Sequence, residues 1–308
     1  MLQLVRGRLL ARAFAEKVLP TVANGSEDLS NFSLIGDLSL LLGGVKEGTK
    51  AYQFQEDSAI DKAKMTEFHI HRFLPETTGT KAFVQSYWVD TSKCGPMVLD
   101  VLIKIKNEMD PTLTFRRSCR EGICGSCAMH INGVNSLACI SPLTDGTKMV
   151  IGPLVRMPVV KDLVVEMSNF YQQYRAIDPW LKRTTPKTPG QKEYYQSQAD
   201  RKKLDGLYEC VLCACCSTIC PSYWWNHHSY MGPAVLQQAY RWVIDSRDEA
   251  TDERLKKLTG DYDVKKCYQI GSCTITCPKG LNPKGALAGL KALVEDYEAR
   301  ADNWEVRA

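Results

Sequence analysis

Hydrophobic and polar positions alternate in one stretch of the chain and recur at helical spacing in another. From Thr66 the run TEFHIHRF alternates, and Lys81 to Val89 is rich in β-branched and aromatic residues; together they predict a β-hairpin. Gly95 and Pro96 then open a helix whose apolar face is Val98, Leu102, Ile105 and Met109. Leu113 to Phe115 reads as a short strand. Helical periods follow. Lys161 to Tyr174 is an amphipathic helical run, and the polar, Pro-containing stretch from Asp178 to about Gln198 reads as a linker. Ala199 to Tyr208, Pro233 to Asp245 and Glu253 to Leu258 continue the helical pattern. The closing helix starts near Pro283, with Leu287, Leu290, Val294 and Tyr297 on its face. The order predicts an α+β chain: an extension over 1–64, a strand–helix–strand domain over 65–160, and an all-helical domain over 161–308.

The first twenty residues, MLQLVRGRLLARAFAEKVLP, carry Arg6, Arg8 and Arg12 and no acid before Glu16. Their apolar residues recur at helical spacing, the composition of a mitochondrial transit peptide, with an ordinary surface helix as the alternative. Residues 21–64 are polar and irregular. Leu34 to Val45 is the most apolar stretch, too short for a bilayer span and interrupted by Asp37. A formal net charge of +4 over 308 residues gives no case for a nucleic-acid partner.

Cysteine changes the picture most. The chain has 13 cysteines, an odd number, and apart from Cys94 and Cys215 they fall into three tight sets. A disulfide scaffold would be shorter and evenly paired, so the pattern points to metal-bound thiolates in a reducing compartment. Cys94 reads as a small packed residue and Cys215 as a non-ligand.

Cys119, Cys124 and Cys127 form C-x4-C-x2-C, with Cys139 following. This is the spacing of plant-type two-iron ferredoxins. Gly122 and Gly125 suit a loop whose backbone must approach a cluster closely. Further on, Cys210, Cys213, Cys216 and Cys220 give C-x2-C-x2-C-x3-C followed by Pro221, the bacterial-ferredoxin run whose fourth cysteine serves a second cluster. The partner run, CYQIGSCTITCP over 267–278, has Ile270 where its second cysteine should stand. With Cys277 given back to the first cluster, the second retains Cys220, Cys267 and Cys273. Three thiolates and an isoleucine suit a 3Fe-4S cluster; a water-ligated four-iron cluster is the alternative. Zinc, which takes four ligands commonly as two separated pairs, fits poorly. The fold expected is a β-grasp domain of the plant-type 2Fe-2S ferredoxin kind, then an all-helical bacterial-ferredoxin-like domain.

The runs SCREGICGSCAM, CVLCACCSTICPSYWWN and CPKGLNP closely resemble the iron–sulfur subunit of succinate dehydrogenase, respiratory complex II, and related fumarate reductases. The likeness covers about residues 66 to 295. It implies Cys119, Cys124, Cys127 and Cys139 as 2Fe-2S ligands, Cys210, Cys213, Cys216 and Cys277 as 4Fe-4S ligands, and Cys220, Cys267 and Cys273 as 3Fe-4S ligands. It also implies a ubiquinone site lined by Pro221, Ser222, Trp225 and Ile270, with the Trp225 indole N–H as donor to the quinone. Plain packing is the competing role for one of the pair Trp224 and Trp225. Tyr268 departs from the family, standing where a histidine usually lies, and a phenol cannot titrate near neutrality as imidazole does. Lys284–Gly285 reverses the usual order.

The chain carries no flavin or nucleotide fingerprint, so the resemblance implies an electron relay and no catalytic side chains. A separate FAD-containing flavoprotein would oxidise succinate, and membrane-anchor subunits, with or without haem b, would meet the other end. The implied location is the matrix face of the mitochondrial inner membrane. Two alternatives stand: the same subunit in a fumarate reductase using a low-potential quinol, and a metal-holding scaffold without redox turnover.

Overall fold

The structure, a computed structural model, describes residues 65–76, 82–144, 148–260 and 264–305, with side chains to 301. The basic N-terminal segment, residues 21–64 and Lys81 lie outside the described residues. The described residues fall into two compact units that divide between Glu166 and Met167; the sequence reading put the division at 160.

In the first unit, β1 (Thr66–Arg72) pairs antiparallel with β2 (Phe83–Val89), and Phe68, Ile70, Phe83, Tyr87 and Val89 turn into the core. The expected helix is α1 (Val98–Lys104), capped by the Asp100 carboxylate, which accepts from the Met97 N–H at 3.2 Å. Val98, Leu102 and Ile105 are buried and Met109 is half-buried. The helix does not run on regularly. Ile105–Met109 is a single π turn, closed where the Asp110 N–H donates to the Ile105 carbonyl at 2.7 Å.

The strands β3 (Ala128–Ile131) and β4 (Val134–Leu137) form a hairpin on Asn132–Gly133, with φ of +46° and +83°. Asn-Gly with both φ positive suits the type I′ turn that matches strand twist. β5 (Lys148–Gly152) lies parallel to β1 and antiparallel to β3. The sheet order is β2-β1-β5-β3-β4, a mixed sheet with its parallel pair inside.

Two expectations fail here. Leu113–Phe115 pairs with no strand of that sheet; the Thr114 N–H donates to the Asp162 carboxylate at 2.8 Å, and its carbonyl accepts from Leu163 N at 3.2 Å. Lys161 to Tyr174 is not one helix. Its first part forms β6 (Val159–Lys161) and β7 (Val164–Val165), turned at Asp162 with φ +47°, and the helix α2 begins only at Ser168 and runs to Ala176.

The core of the first unit also contains a charged side chain. Arg72 is 1% exposed. Its Nε donates to Asp162 at 2.9 Å, Nη1 donates to Asp110 and to Tyr87 Oη at 2.6 Å, and Nη2 donates to Thr112 at 2.8 Å. Burial pushes the Asp110 carboxyl up, but donors on Thr112 and Tyr87 and the Arg72 charge outweigh it and hold the group below its ordinary value.

The second unit's elements, among the described residues, are helices. After α2 come α3 (Gln198–Lys202), the single turn α4 (Cys215–Thr218), α5 (Pro221–Asn226), α6 (Gly232–Val243), α7 (Thr251–Lys256), the single turn α8 (Ser272–Ile275) and the long α9 (Pro283–Glu305). α6 packs on α9, burying Val235, Leu236, Ala239 and Val243 with Leu287, Leu290 and Val294. Tyr297 of the expected face is half-buried. At Gly289 an added Cβ would stand 2.8 Å from the Tyr240 hydroxyl, so glycine permits this approach. The stretch from Asp178 is strapped down: buried Arg254 donates to the carbonyls of Ile177, Asp178 and Trp180 at 2.9, 2.8 and 2.7 Å, and pairs with Asp248. No helix among the described residues is long and apolar enough to cross a membrane.

Removing Arg72 would leave Asp110 and Asp162 buried without their counter-charge. Arg72→Met is expected to destabilise the first unit by about 3–5 kcal/mol, read as an early unfolding transition in denaturant; an unchanged profile would show that the network contributes little.

Candidate functional site

Cys119, Cys124 and Cys127 sit on the loop that enters β3, and Cys139 follows β4. The loop curls through left-handed positions at Arg120, Gly122 and Gly125 (φ +63°, +73° and +70°). A Cβ at Gly122 would meet the Ile140 side chain at 3.0 Å, so the turn needs glycine twice over, for φ and for space. The curl aims backbone at sulfur: the N–H groups of Ile123 and Cys124 each donate to Cys119 Sγ at 3.3 Å. Amides of Glu121, Cys124 and Ile123 lower the Cys119 thiol to about 6, whereas burial pushes Cys127 up to about 12. Cys127 and Cys139 are buried against each other, while Cys124 is exposed. The loop thus gathers all four cysteines, with amide donors already facing one sulfur.

The other seven divide between two cavities. One is lined by Cys210, Cys213, Cys216 and Cys277, with Ala234 and Gln237. The second is lined by Cys220, Cys267 and Cys273, with Pro221, Ser222, Tyr230, Tyr268, Ile270 and Lys284. Each run therefore sends its last cysteine to the cavity of the other. Burial raises the thiols of Cys210 and Cys273 to about 11. Such thiols resist ionisation in the bare protein and need a cationic partner to become thiolates. Four thiols around one cavity and three around the other fit cluster binding; among the described residues no three metal-binding side chains converge on a point as a single ion requires.

The backbones of the two runs repeat each other. Leu212 and Gln269 have φ of +54° and +56°, and Ala214 and Gly271 have φ of +63° and +93°. Each pair brackets one residue and is followed by a single helical turn, α4 or α8. The bracketed residue is Cys213 in the first run and Ile270 in the second. Ile270 therefore occupies a cysteine's place in a loop of the same shape.

Cys215 is fully buried, absent from the cavity lining and set against Cys213, whose thiol it holds below the ordinary value. Pro221 and Ser222 begin α5 directly after Cys220, the proline at the first turn where a missing N–H costs nothing. Both line the second cavity, as does Ile270, 53% exposed. Trp225 does not line it: the side chain stands 76% exposed on α5. Its neighbour Trp224 is the packed one, its indole N–H donating to the Thr218 carbonyl. Tyr268 lines the cavity and is 76% exposed. Tyr230 and Lys284 are among the lining residues that were not foreseen as site residues. Lys284 follows Pro283 at the start of α9, where its N–H donates to Thr274 Oγ1 at 3.1 Å; no spacing rule marks either residue.

Residues 67–172 match the family model described as a 2Fe-2S iron–sulfur cluster binding domain, and residues 209–282 match the 4Fe-4S dicluster domain. The chain joins two iron–sulfur cluster-binding domains. Its fold is similar to that of a chain in the Mycobacterium smegmatis Sdh1 complex in the apo form, at TM-score 0.65 and 24% identity, over 75% of this chain and 96% of that one. A hypothetical protein from Helicobacter pylori aligns at TM-score 0.44 and 15% identity, over 74% of this chain and 39% of that one, too weakly to carry an argument. The resemblance seen in the cysteine runs is thus met by domain content and by fold.

Because Cys215 contacts a cavity cysteine without facing the cavity, Cys215→Ser is expected to leave the four-iron electron paramagnetic resonance signal in place. Loss of that signal would put Cys215 among the ligands instead of Cys216.

Proposed function

We propose that this chain is the electron-transfer iron–sulfur subunit of a succinate:ubiquinone oxidoreductase. Cys119, Cys124, Cys127 and Cys139 would hold a 2Fe-2S cluster, Cys210, Cys213, Cys216 and Cys277 a 4Fe-4S cluster, and Cys220, Cys267 and Cys273 a 3Fe-4S cluster. The observation behind this reading is the division of seven cysteines into four and three, with Ile270 in the place of the eighth. When bound, the clusters supply one-electron carriers between a flavin and a quinone. The protein's own residues do three things. The amides of Ile123 and Cys124 offset charge on the Cys119 sulfur, burial keeps water from Cys127, Cys139 and Cys216, and Ile270 withholds a thiolate at one corner.

The partners in this reading are an FAD-containing flavoprotein and membrane-anchor subunits with or without haem b. The basic N-terminal segment favours a mitochondrial precursor, peripheral on the matrix side of the inner membrane. Ubiquinone would meet the rim of the second cavity at Pro221, Ser222 and Ile270. Trp225 lies one helical turn from Pro221, on the same face of α5. An exposed indole there offers a flat apolar wall and one N–H donor.

The purified complex should contain about nine iron atoms per copy of this chain. Ile270→Cys should complete the ligand set of the third cluster, convert it to four irons and remove the oxidised three-iron resonance. If that resonance survives unchanged, the assignment of Ile270 to a ligand position fails; zinc without sulfide would end the reading altogether.

Trp225→Phe keeps the wall and removes the donor, a loss on the order of 1 kcal/mol. Succinate–quinone activity should fall several-fold while succinate oxidation with an acceptor at the flavin persists. Equal loss in both assays, with all clusters intact, would remove Trp225 from the quinone site.

A further inference from the structure

Tyr230 is completely buried, yet its hydroxyl has no hydrogen-bond partner among the described residues. It lines the cavity of Cys220, Cys267 and Cys273. Its backbone is pinned: the N–H donates to the Asn226 carbonyl at 2.8 Å, and its own carbonyl accepts from Gln173 Nε2 at 3.4 Å. The chain then turns at Gly232, with φ +80°, where a Cβ would meet the Tyr223 ring at 2.8 Å. The pinned backbone fixes where the ring enters the interior, and the ring is fully buried there.

A buried donor left unmade is costly, so the hydroxyl calls for an acceptor in the assembled protein. The groups around it are sulfurs. Cys220, Cys267 and Cys273 line the same cavity and neighbour the hydroxyl. A phenol O–H is a hydrogen-bond donor with a proton to offer.

We infer that the Tyr230 hydroxyl donates a hydrogen bond to the sulfur shell of the cluster held by Cys220, Cys267 and Cys273, and thereby raises that cluster's reduction potential. This rests on the reading that those three cysteines hold a cluster. Reduction adds negative charge to the sulfurs, so a donor aimed at them favours the reduced form. Tyr230 is thus a tuning residue of the terminal electron carrier. Without its donor the carrier would be a weaker acceptor for electrons arriving from the other clusters.

Tyr230→Phe keeps the ring and the packing and deletes only the donor. In the intact complex, the oxidised three-iron resonance should retain its intensity while its potentiometric midpoint falls. At a fixed ambient potential the oxidised-to-reduced ratio should rise several-fold, up to about tenfold, which is 59 mV for a one-electron couple. Pulsed electron–nuclear double resonance before and after exchange into heavy water supplies a second measurement. The natural protein should show an exchangeable proton coupled to the cluster, absent from the variant. An unchanged midpoint with the same exchangeable coupling would overturn the inference, as would the absence of any exchangeable coupling in the natural protein. An unchanged midpoint with weakened quinone binding would also overturn it, assigning the hydroxyl to the quinone. Absence of a three-iron signal from the natural protein would instead defeat the underlying cluster reading.

Discussion

The second unit depends on an exchange of cysteines between two loops. Cys220 ends the first run but faces the cavity of the second, and Cys277 ends the second run but faces the cavity of the first. Neither cavity has its full set of thiols unless both loops are in place. That requirement ties 210–220 to 267–277, two runs more than forty residues apart in sequence. It also explains the job of the helices between and after them. α6 and α9 share an apolar core whose geometry sets the spacing of the two loops.

The loops are bought at a conformational cost. Leu212, Ala214 and Gln269 are not glycines, yet all have left-handed φ, a state costing on the order of 1–3 kcal/mol each. Such strain persists only where the surroundings over-determine the backbone. Here the same two positions are bent in both runs, and each bend turns the bracketed residue toward its cavity. The repetition gives Ile270 its meaning. In a loop of different shape an isoleucine would be only an apolar side chain, but in this one it occupies the place of Cys213.

A buried arginine organises each unit away from its cysteines. Arg72 collects β1, β2, the turn after α1 and the hairpin at Asp162 into one hydrogen-bonded set. Arg254 with Asp248 holds the irregular stretch after α2 by its carbonyls. Planar, multiply donating guanidinium suits both tasks, since one side chain satisfies several acceptors that no strand or helix would. In each case a segment without regular structure is ordered by a charge placed inside.

Much of this was legible in the residues themselves. Cysteine spacing sorted the ligand candidates because a short loop can present only certain sulfurs to one cavity. Alternation marked β1, β-branched and aromatic content marked β2, and helical periods marked α1, α6 and α9, because apolar positions of each are buried in the core. Asn132–Gly133 carried a turn signal that went unread. Pattern failed where a polar partner replaced an apolar face. Lys161 to Tyr174 looked like one helix, but Asp162 is drawn to Arg72 and bends its first part into a hairpin; Leu113–Phe115 looked like a strand, but the partner of Thr114 N–H is a carboxylate. The sequence could not say which of Trp224 and Trp225 would pack, nor that Tyr230 would bring an unused hydroxyl to the cysteines. Spacing is local and can be read along the chain. The partner of a buried polar group is set by whichever distant segment the fold brings beside it, and only the tertiary structure decides that.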